Sequence, residues 1–128
     1  MDAASLWNHA AIGPEDIDVI QTYDDYPVIT MMQFEDLGFC AKDAGAEFIR
    51  RNEFGPGGNC PHNTGGGQLS GGQAGAAGGF LGLVEALRQL TNQAGTHQVP
   101  NIRHALVSGF GMINFDRGLC TAAAVLAA

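Results

Sequence analysis

Two short stretches of this 128-residue chain hold the side chains best suited to chemistry. The run Tyr23–Tyr26 supplies two phenols and two carboxylates, and the pair His62 and Asn63 supplies an imidazole and a carboxamide. Phenols, carboxylates and imidazoles can transfer protons, and a carboxamide can donate and accept hydrogen bonds. The residues therefore allow a site for acid/base chemistry, with Tyr23 as donor and Asp24 or Asp25 as acid/base. A capping and turn segment with half-buried tyrosines remains the alternative.

A glycine-rich loop leads into an amphipathic helix between Asn63 and Leu90. Glycines let a backbone approach a ligand or another element closely, and a helix N-terminus presents unpaired N–H groups. A Walker loop is excluded because no Lys lies in this stretch, and no strand precedes it as a dinucleotide fingerprint requires. The alternative is that the glycines only permit close packing. Four apolar residues at helical spacing predict the buried stripe of the helix: Leu83, Val84, Leu87 and Leu90.

Composition limits the class of protein. Apolar residues make up 45% and charged residues 15%, so we expect one globular domain over residues 1–128. A net charge of −7 with only 6 Lys and Arg argues against nucleic-acid and anionic-membrane partners. No apolar run is long enough to span a bilayer, and the start MDAASLWNHA lacks the features of a signal peptide.

The 3 cysteines are odd in number and show no close paired spacing, which indicates free thiols in a reducing compartment such as the cytoplasm. Cys60 and His62 are too close in sequence for the usual zinc patterns, and no second pair accompanies them. We therefore predict no metal site.

The order of elements follows from local patterns. The sequence predicts a helix to Ala11 that is capped at Gly13, a strand over Ile17–Gln21, and Pro27 as the first residue of a helix ending near Gly38. Further elements are a helix Ala44–Arg51 with Asp43 as N-cap, a strand from His104 to Ser108, and a strand from Gly118 joined to it as a hairpin. The small residues after Gly118 predict a central strand. Tyr23 then follows a strand at its carboxyl end, where ligands bind in α/β sheets.

The glycine-rich loop resembles the carboxyl-terminal half of the thiolase superfamily. There an Asn-x-x-Gly-Gly run leads to Gly-His-Pro-x-Gly-x-x-Gly and a long helix; here Gly72, Gln73 and Ala74 stand at Gly-His-Pro, and Gly79 matches the last Gly. The family's catalytic His is therefore absent. The chain is most similar to the sterol-carrier or lipid-transfer subgroup, whose steroid-CoA retro-aldolases have Leu-Ser-x-Gly-Tyr where this chain has Leu69–Gln73.

A second motif supports the same subgroup. Tyr23–Tyr26 resembles the Tyr-Asp-x-Phe of the aldolase-like members, and Glu35–Cys40 (EDLGFC) resembles the lipid-transfer subgroup closely. The resemblance implies proton transfer by Tyr23, whose phenol would need a lowered pKa to act as a base. Phe110 stands between Gly109 and Gly111 where thiolases carry their second catalytic Cys.

The resemblance implies an α/β fold: one thiolase-like half, a mixed β-sheet flanked by helices. It implies a coenzyme A thioester as substrate and no permanently bound cofactor. The pantetheine arm would lie along the loop at Gly66, Gly67, Ser70, Gly71 and Gly72. The candidate catalytic residues are Tyr23, Asp24, Asn63, Gln73 and, as a stand-in acid/base, His62. Gln73 can donate a hydrogen bond but cannot shuttle a proton.

Two hypotheses remain open at this point. One is a domain of a thiolase-like acyltransferase or retro-aldolase acting on the C–C bond beta to the thioester, with the nucleophile-bearing half absent. The other is a non-catalytic module that binds an acyl-CoA or a partner. The resemblance implies as partners the amino-terminal thiolase half or a small zinc-ribbon/OB-fold protein, and a homodimer.

Overall fold

The computed structural model describes residues 3–73, 78–115 and 117–128. Met1, Asp2, Ala74 and its neighbours to residue 77, and residue 116 lie outside the described residues. The helices are α1 (Ala3–Ala10), α2 (Pro27–Asp36), α3 (Gly45–Arg51), α4 (Gly67–Gly71) and α5 (Phe80–Leu90). The strands are β1 (Val19–Gln21), β2 (His104–Asn114) and β3 (Arg117–Ala127). Short 3-10 turns cover Pro14–Asp16 and Gly95–His97.

The strands form one mixed sheet in the order β1-β2-β3. β1 pairs in parallel with β2, from Val19 opposite Ala105, and β2 pairs antiparallel with β3. Side chains alternate across a strand, so Val19 packs under α5 whereas Ile20 packs on the side of α1 to α3. The result is a sheet between two helical layers, which confirms the predicted α/β class and mixed sheet.

The larger part of the core lies between the sheet and the first three helices. Phe34 of α2 is 1% exposed, and its ring contacts those of Phe39, Phe48 and Phe54. Trp7 of α1 donates its indole N–H to the Leu37 carbonyl at 2.9 Å. This cluster holds α2, and therefore the segment before it, against β1.

The predicted buried stripe of α5 is only partly confirmed, because Leu83 is half-buried and Leu90 packs against the buried cluster of Val19, Ala86 and Ala105, whereas Val84 and Leu87 face outward. Val84 is 53% and Leu87 47% exposed, while Ala86 and Gln89 are buried against the sheet. Gly82 explains the orientation, because a Cβ there would lie 3.2 Å from the Gln21 Cβ, so α5 approaches the sheet on its small and polar side. The inward polar residues are hydrogen-bonded, which removes the cost of burying them. Val84 and Leu87 are left facing outward, together with Phe80 at the start of the helix.

Three smaller expectations are corrected. Ala11, with φ 57°, and not Gly13, takes the left-handed conformation after α1. Asp43 makes no side-chain cap; Glu35 of α2 accepts the Gly45 N–H at 2.9 Å instead. β3 is an edge strand and not a central one, because only β2 pairs with it in the described sheet.

The predicted start of α2 at Pro27 and the β2–β3 hairpin are confirmed. No helix within the described ranges is long and apolar enough to cross a membrane.

Candidate active site

A cavity of about 140 Å³ opens where β1 ends. Its walls are the segment after β1 with Tyr23 and Asp24, the glycine loop with Gly67 and Gly71, and α5 with Glu85. Three separate parts of the chain therefore converge on one concave surface, as is usual for a ligand site at the carboxyl end of a parallel strand.

Backbone hydrogen bonds hold Tyr23 in place. Its N–H donates to the Ser108 carbonyl of β2 at 3.1 Å, and its carbonyl accepts the Gln33 Nε2 at 2.7 Å. Gln33 is buried on α2 and its Oε1 accepts the Ser108 hydroxyl at 2.8 Å. Strand and helix thus fix the backbone of Tyr23 from both sides, which leaves its phenol at the cavity.

Two of the predicted site residues, Tyr23 and Gln73, are brought together. Gln73 Nε2 donates to the phenol oxygen of Tyr23 at 3.0 Å, although the two residues come from different stretches. Burial, and then the nearby Asp25 carboxylate, raise the pKa of Tyr23 above its ordinary value. Tyr23 therefore does not have the lowered pKa that a base would need, and its chemistry here is that of a neutral phenol which donates a proton or hydrogen bond.

Asp24 positions the glycine loop. The carboxylate is 8% exposed, and its Oδ1 accepts the backbone N–H of Gln68 at 2.7 Å. Gly67, at φ +59°, lies so close that an added Cβ would be 2.1 Å from Asp24 Oδ2. The acid/base role of Asp24 stays a prediction, while its geometry is that of a support for α4.

Asn63 clamps the end of β1. Its Oδ1 accepts the Thr22 N–H at 2.9 Å and its Nδ2 donates to the Thr22 carbonyl at 3.1 Å. The side chain thereby imitates a strand partner for the residue next to Tyr23. Asn63 lines the cavity, so its predicted part in catalysis stays open, but both ends of the amide hold backbone.

His62 is placed in the aromatic core and not among the residues that line the cavity. Its ring centroid lies 5.0 Å from that of Phe34 and 5.8 Å from that of Phe54. Nε2 shares a 2.8 Å hydrogen bond with the Thr22 hydroxyl. Burial lowers the pKa of His62 to about 4, so the ring is neutral near pH 7. This position does not favour the predicted stand-in acid/base role.

We expect His62 to make stability fall in acid. Its folded pKa of about 4 lies below the ordinary 6.5, so the unfolded chain binds more protons between these values. Unfolding free energy should therefore drop by roughly 3 kcal/mol as pH falls from 6.5 to 4. Urea titrations across this range check the drop, and His62→Gln should remove that part of the slope. An equal slope in the variant would assign the acid sensitivity to other groups.

The glycine loop contributes only part of the predicted pantetheine set to the cavity. Gly67 and Gly71 line it, whereas Gly66, Ser70 and Gly72 are not among the lining residues. Gly66, at φ +95°, is the N-cap of the short helix α4, which the sequence did not predict. The loop therefore folds back over Asp24 before α5 begins.

A buried polar layer beneath α5 was missed by sequence reasoning. Glu85 is 6% exposed, and its Oε1 accepts the Thr64 hydroxyl at 2.7 Å and Gln89 Nε2 at 2.9 Å. Gln21 of β1 also donates to Thr64, at 3.2 Å. The sequence feature that could have predicted this layer is the Glu85–Gln89 spacing of four residues, which places both polar groups on one side of the helix. The layer fixes α5 and the loop on β1.

Arg88 supplies a cation beside this carboxylate. It lines the cavity, and its guanidinium lies 3.6 Å from Glu85 Oε2.

None of the three cysteines is among the residues that line the cavity. Burial raises the pKa of Cys60 to about 11, which makes its thiol a poor nucleophile. The described part of the cavity therefore offers acid and hydrogen-bond chemistry and no thiolate, and the described residues contain no group of three or more His, Cys, Asp or Glu arranged to hold a metal.

Comparison with known proteins agrees with this architecture. The family model for the thiolase C-terminal domain-like proteins matches residues 3–121. The chain is similar to 17-hydroxy-3-oxo-4-pregnene-20-carboxyl-CoA lyase of Mycobacterium tuberculosis, with 36% identity over 80% of this chain and 26% of that protein. It is also similar to the benzoylsuccinyl-CoA thiolase subunit BbsB of Thauera aromatica, with 31% identity over 85% of this chain and 29% of that subunit.

A solved structure has the same fold over most of this chain. The Ltp2-ChsH2(DUF35) aldolase superposes with a TM-score of 0.74 and 30% identity, over 84% of this chain and 27% of that chain. The chain thus spans less than a third of the length of these two proteins and of this structure. Because the family model covers almost the whole sequence and the fold agrees, the chain belongs to the thiolase C-terminal domain-like family.

Proposed function

We propose that this chain is the carboxyl-terminal half of a retro-aldolase that cleaves the C–C bond beta to a coenzyme A thioester. The observation that carries the proposal is the hydrogen bond from Gln73 to the phenol of Tyr23, because Tyr23 lines a cavity whose described lining holds no cysteine. Thiolysis needs a thiolate nucleophile and a proton relay, whereas retro-aldol cleavage needs an acid, a base and stabilisation of an enolate. Relatives named as a lyase and an aldolase support this choice. The thioester is substrate and not a resident cofactor.

The chemistry follows from the bonds that change. A base removes the proton of the β-hydroxyl group, the Cα–Cβ bond breaks, and the β-carbon leaves as a carbonyl group. The electron pair moves onto the thioester as an enolate, which is then protonated at the α-carbon. A neutral phenol suits this last step, and the Gln73 amide holds it in place. Asp25, which lies close enough to raise the pKa of Tyr23, can exchange a proton with it.

Tyr23→Phe tests this role. Loss of one general acid should lower the rate of cleavage of a 3-hydroxyacyl-CoA by roughly 10²- to 10⁴-fold, with thioester affinity nearly unchanged. The assay uses this chain assembled with the half that completes it. Tyr26→Phe is the matched control, because Tyr26 is 62% exposed and should lose little activity. Similar rates for Tyr23→Phe and the parent would contradict the role, and binding without any turnover would favour a non-catalytic acyl-CoA module.

The partner in this proposal is the amino-terminal half of the same enzyme. Phe80, Val84 and Leu87 lie three to four residues apart on α5 and are 63%, 53% and 47% exposed. They form what we term the α5 apolar face. An apolar helix face of this kind is normally covered in the working protein. Since the relatives and the solved neighbour are about three to four times as long as this chain, the remaining part of such a protein is the natural cover.

Leu87→Glu should weaken this association. A carboxylate placed on the α5 apolar face must be desolvated on docking, so affinity for the completing half should fall by roughly tenfold or more. Analytical ultracentrifugation or calorimetry measures the loss. Glu47→Leu, on α3, serves as a distant charge-changing control. If Leu87→Glu instead abolishes self-association of the chain, the face is a homodimer interface. If neither the affinity for the completing half nor self-association changes, the α5 apolar face is not a partner interface.

Two further assignments complete the proposal. A small zinc-ribbon/OB-fold protein is a second candidate partner, and the aldolase structure named for two components supports such an assembly. The cysteines Cys40, Cys60 and Cys120 are all unpaired, which suits a reducing compartment, and we place the enzyme in the cytoplasm.

A further inference from the structure

Gln68 carries a buried oxygen without a partner. Across the residues that the structure describes, its Oε1 is sealed from solvent and accepts no hydrogen bond. The residue is 8% exposed and lines the candidate cavity. Leaving a buried acceptor unpaired costs the full free energy of desolvating it, so such a group in a folded protein calls for an explanation.

The other buried glutamines set the contrast. Gln33, Gln89 and Gln21 each make side-chain hydrogen bonds within the described ranges. Gln68 makes only backbone hydrogen bonds within the same ranges: its N–H donates to Asp24 at 2.7 Å and its carbonyl accepts the Gly72 N–H at 3.2 Å. The backbone of Gln68 is therefore fixed, while its side-chain oxygen lies beside the cavity without a hydrogen-bond donor among the described residues.

The Gln68 oxygen lies near Gln73, which bonds the proposed general acid Tyr23. A Cβ added at Gly78 would lie 3.2 Å from Gln68 Oε1 and 3.4 Å from Gln73 Cγ. Both side chains thus border the same point on the loop, and Gln73 bonds the Tyr23 phenol at 3.0 Å. The unpaired acceptor and the phenol belong to one region of the cavity wall.

We infer that Gln68 is a specificity-determining residue whose Oε1 accepts a hydrogen bond from a donor on the bound thioester. The inference rests on the proposed function, because it concerns the ligand of the same cavity. An amide oxygen only accepts, so it favours a ligand with an O–H or N–H at this point. A β-hydroxyacyl thioester has such an O–H, whereas a β-ketoacyl thioester has only an acceptor there and would repel Gln68. The pantetheine amide N–H is the other possible source of the donor.

Calorimetry with three probes separates the two sources: 3-hydroxybutyryl-CoA, acetoacetyl-CoA and butyryl-CoA. Each is titrated into the parent chain, Gln68→Leu and Gln68→Met, all assembled with the half that completes the enzyme. We expect each variant to bind 3-hydroxybutyryl-CoA roughly tenfold more weakly and the other two about equally, if the acyl hydroxyl is the donor. An equal loss for all three probes identifies the pantetheine amide instead. Gln93→Leu, an exposed glutamine, is the matched control and should leave every affinity unchanged.

Thermal unfolding without ligand gives an independent readout. Replacing an unpaired buried amide by an apolar side chain of similar size should raise the Tm by roughly 2–6 °C, whereas Gln89→Leu, which breaks several hydrogen bonds, should lower it. Unchanged thioester affinities in both Gln68 variants would overturn this inference and leave the proposed function standing. If the parent chain binds none of the three probes, the proposed function fails and the inference falls with it.

Discussion

The Gly67→Ala variant is expected to lose much of its stability together with its cavity. Gly67 has φ +59°, a conformation that costs a residue with a Cβ free energy, and the new methyl group would lie 2.1 Å from Asp24 Oδ2. Strain and overpacking together should lower the free energy of unfolding by roughly 2–6 kcal/mol. Guanidinium denaturation measures the loss. Relief of the clash requires Asp24 to move, which breaks its 2.7 Å bond to the Gln68 N–H.

Gly71→Ala is the matched control for Gly67→Ala. Both glycines lie on α4 and line the cavity, but a Cβ at Gly71 would have the Gly65 carbonyl oxygen, at 3.8 Å, as its nearest neighbour. Its stability should change by no more than about 1 kcal/mol. Equal stability of the two variants would mean that the Asp24–α4 contact does not shape the loop.

The second large effect is expected for Phe34→Ala. Phe34 is 1% exposed and its ring lies among those of Phe39, Phe48 and Phe54. Removing a central aromatic side chain leaves a cavity, so the unfolding free energy should fall by about 3–5 kcal/mol. The midpoint of urea unfolding should shift without a change in cooperativity, because the cluster links α1, α2 and α3 to β1.

Phe80→Ala separates burial from residue type. Phe80 is 63% exposed on the α5 apolar face, and its removal should alter the stability of the isolated chain by less than about 0.5 kcal/mol. The same variant should weaken association with the completing half. A large loss of stability in Phe80→Ala would show that α5 packs through this face within the chain itself.

Local patterns predicted the elements that depend on local chemistry. Pro27 begins α2 because its fixed φ and missing N–H suit the first turn of a helix. Tyr23 lies at the carboxyl end of a strand, and the glycine loop comes beside it, as the order of elements and the motifs indicated. The α/β class and the thiolase-like half fold were predictable from the resemblance of the glycine loop and of the Tyr23–Tyr26 motif to the thiolase superfamily.

Contacts between distant residues decided what the sequence could not predict. Asn63 was expected in the chemistry, but its amide pairs with the backbone of Thr22, which lies far away along the chain. An acid/base role was inferred for His62 from its residue type. Its neighbours Phe34 and Phe54 bury the ring, and this burial lowers its pKa to about 4.

The orientation of α5 is a related case. Val84 and Leu87 have the spacing of a buried stripe, yet the buried hydrogen bonds of Glu85 turn the other side of the helix to the sheet. Helical periodicity shows that two faces differ; it does not show which one a second protein chain or half will cover.

Binding of 3-hydroxybutyryl-CoA to the parent chain and to Gly109→Val tests the central claim most directly. Gly109 lines the cavity, and an added Cβ would have no atom within 4 Å. It lies two residues after Val107 on β2, so its side chain would point to the same side of the sheet, toward α5. Valine is favourable in a strand, so it should fill the cavity without unfolding the protein.

We predict saturable binding by calorimetry for the parent and at least about tenfold weaker binding for Gly109→Val, with an unchanged or higher Tm. That result would place the thioester in the cavity between β1, the glycine loop and α5. Equal affinity in the two proteins, or no binding by the parent, would contradict a thioester site in this half of the enzyme.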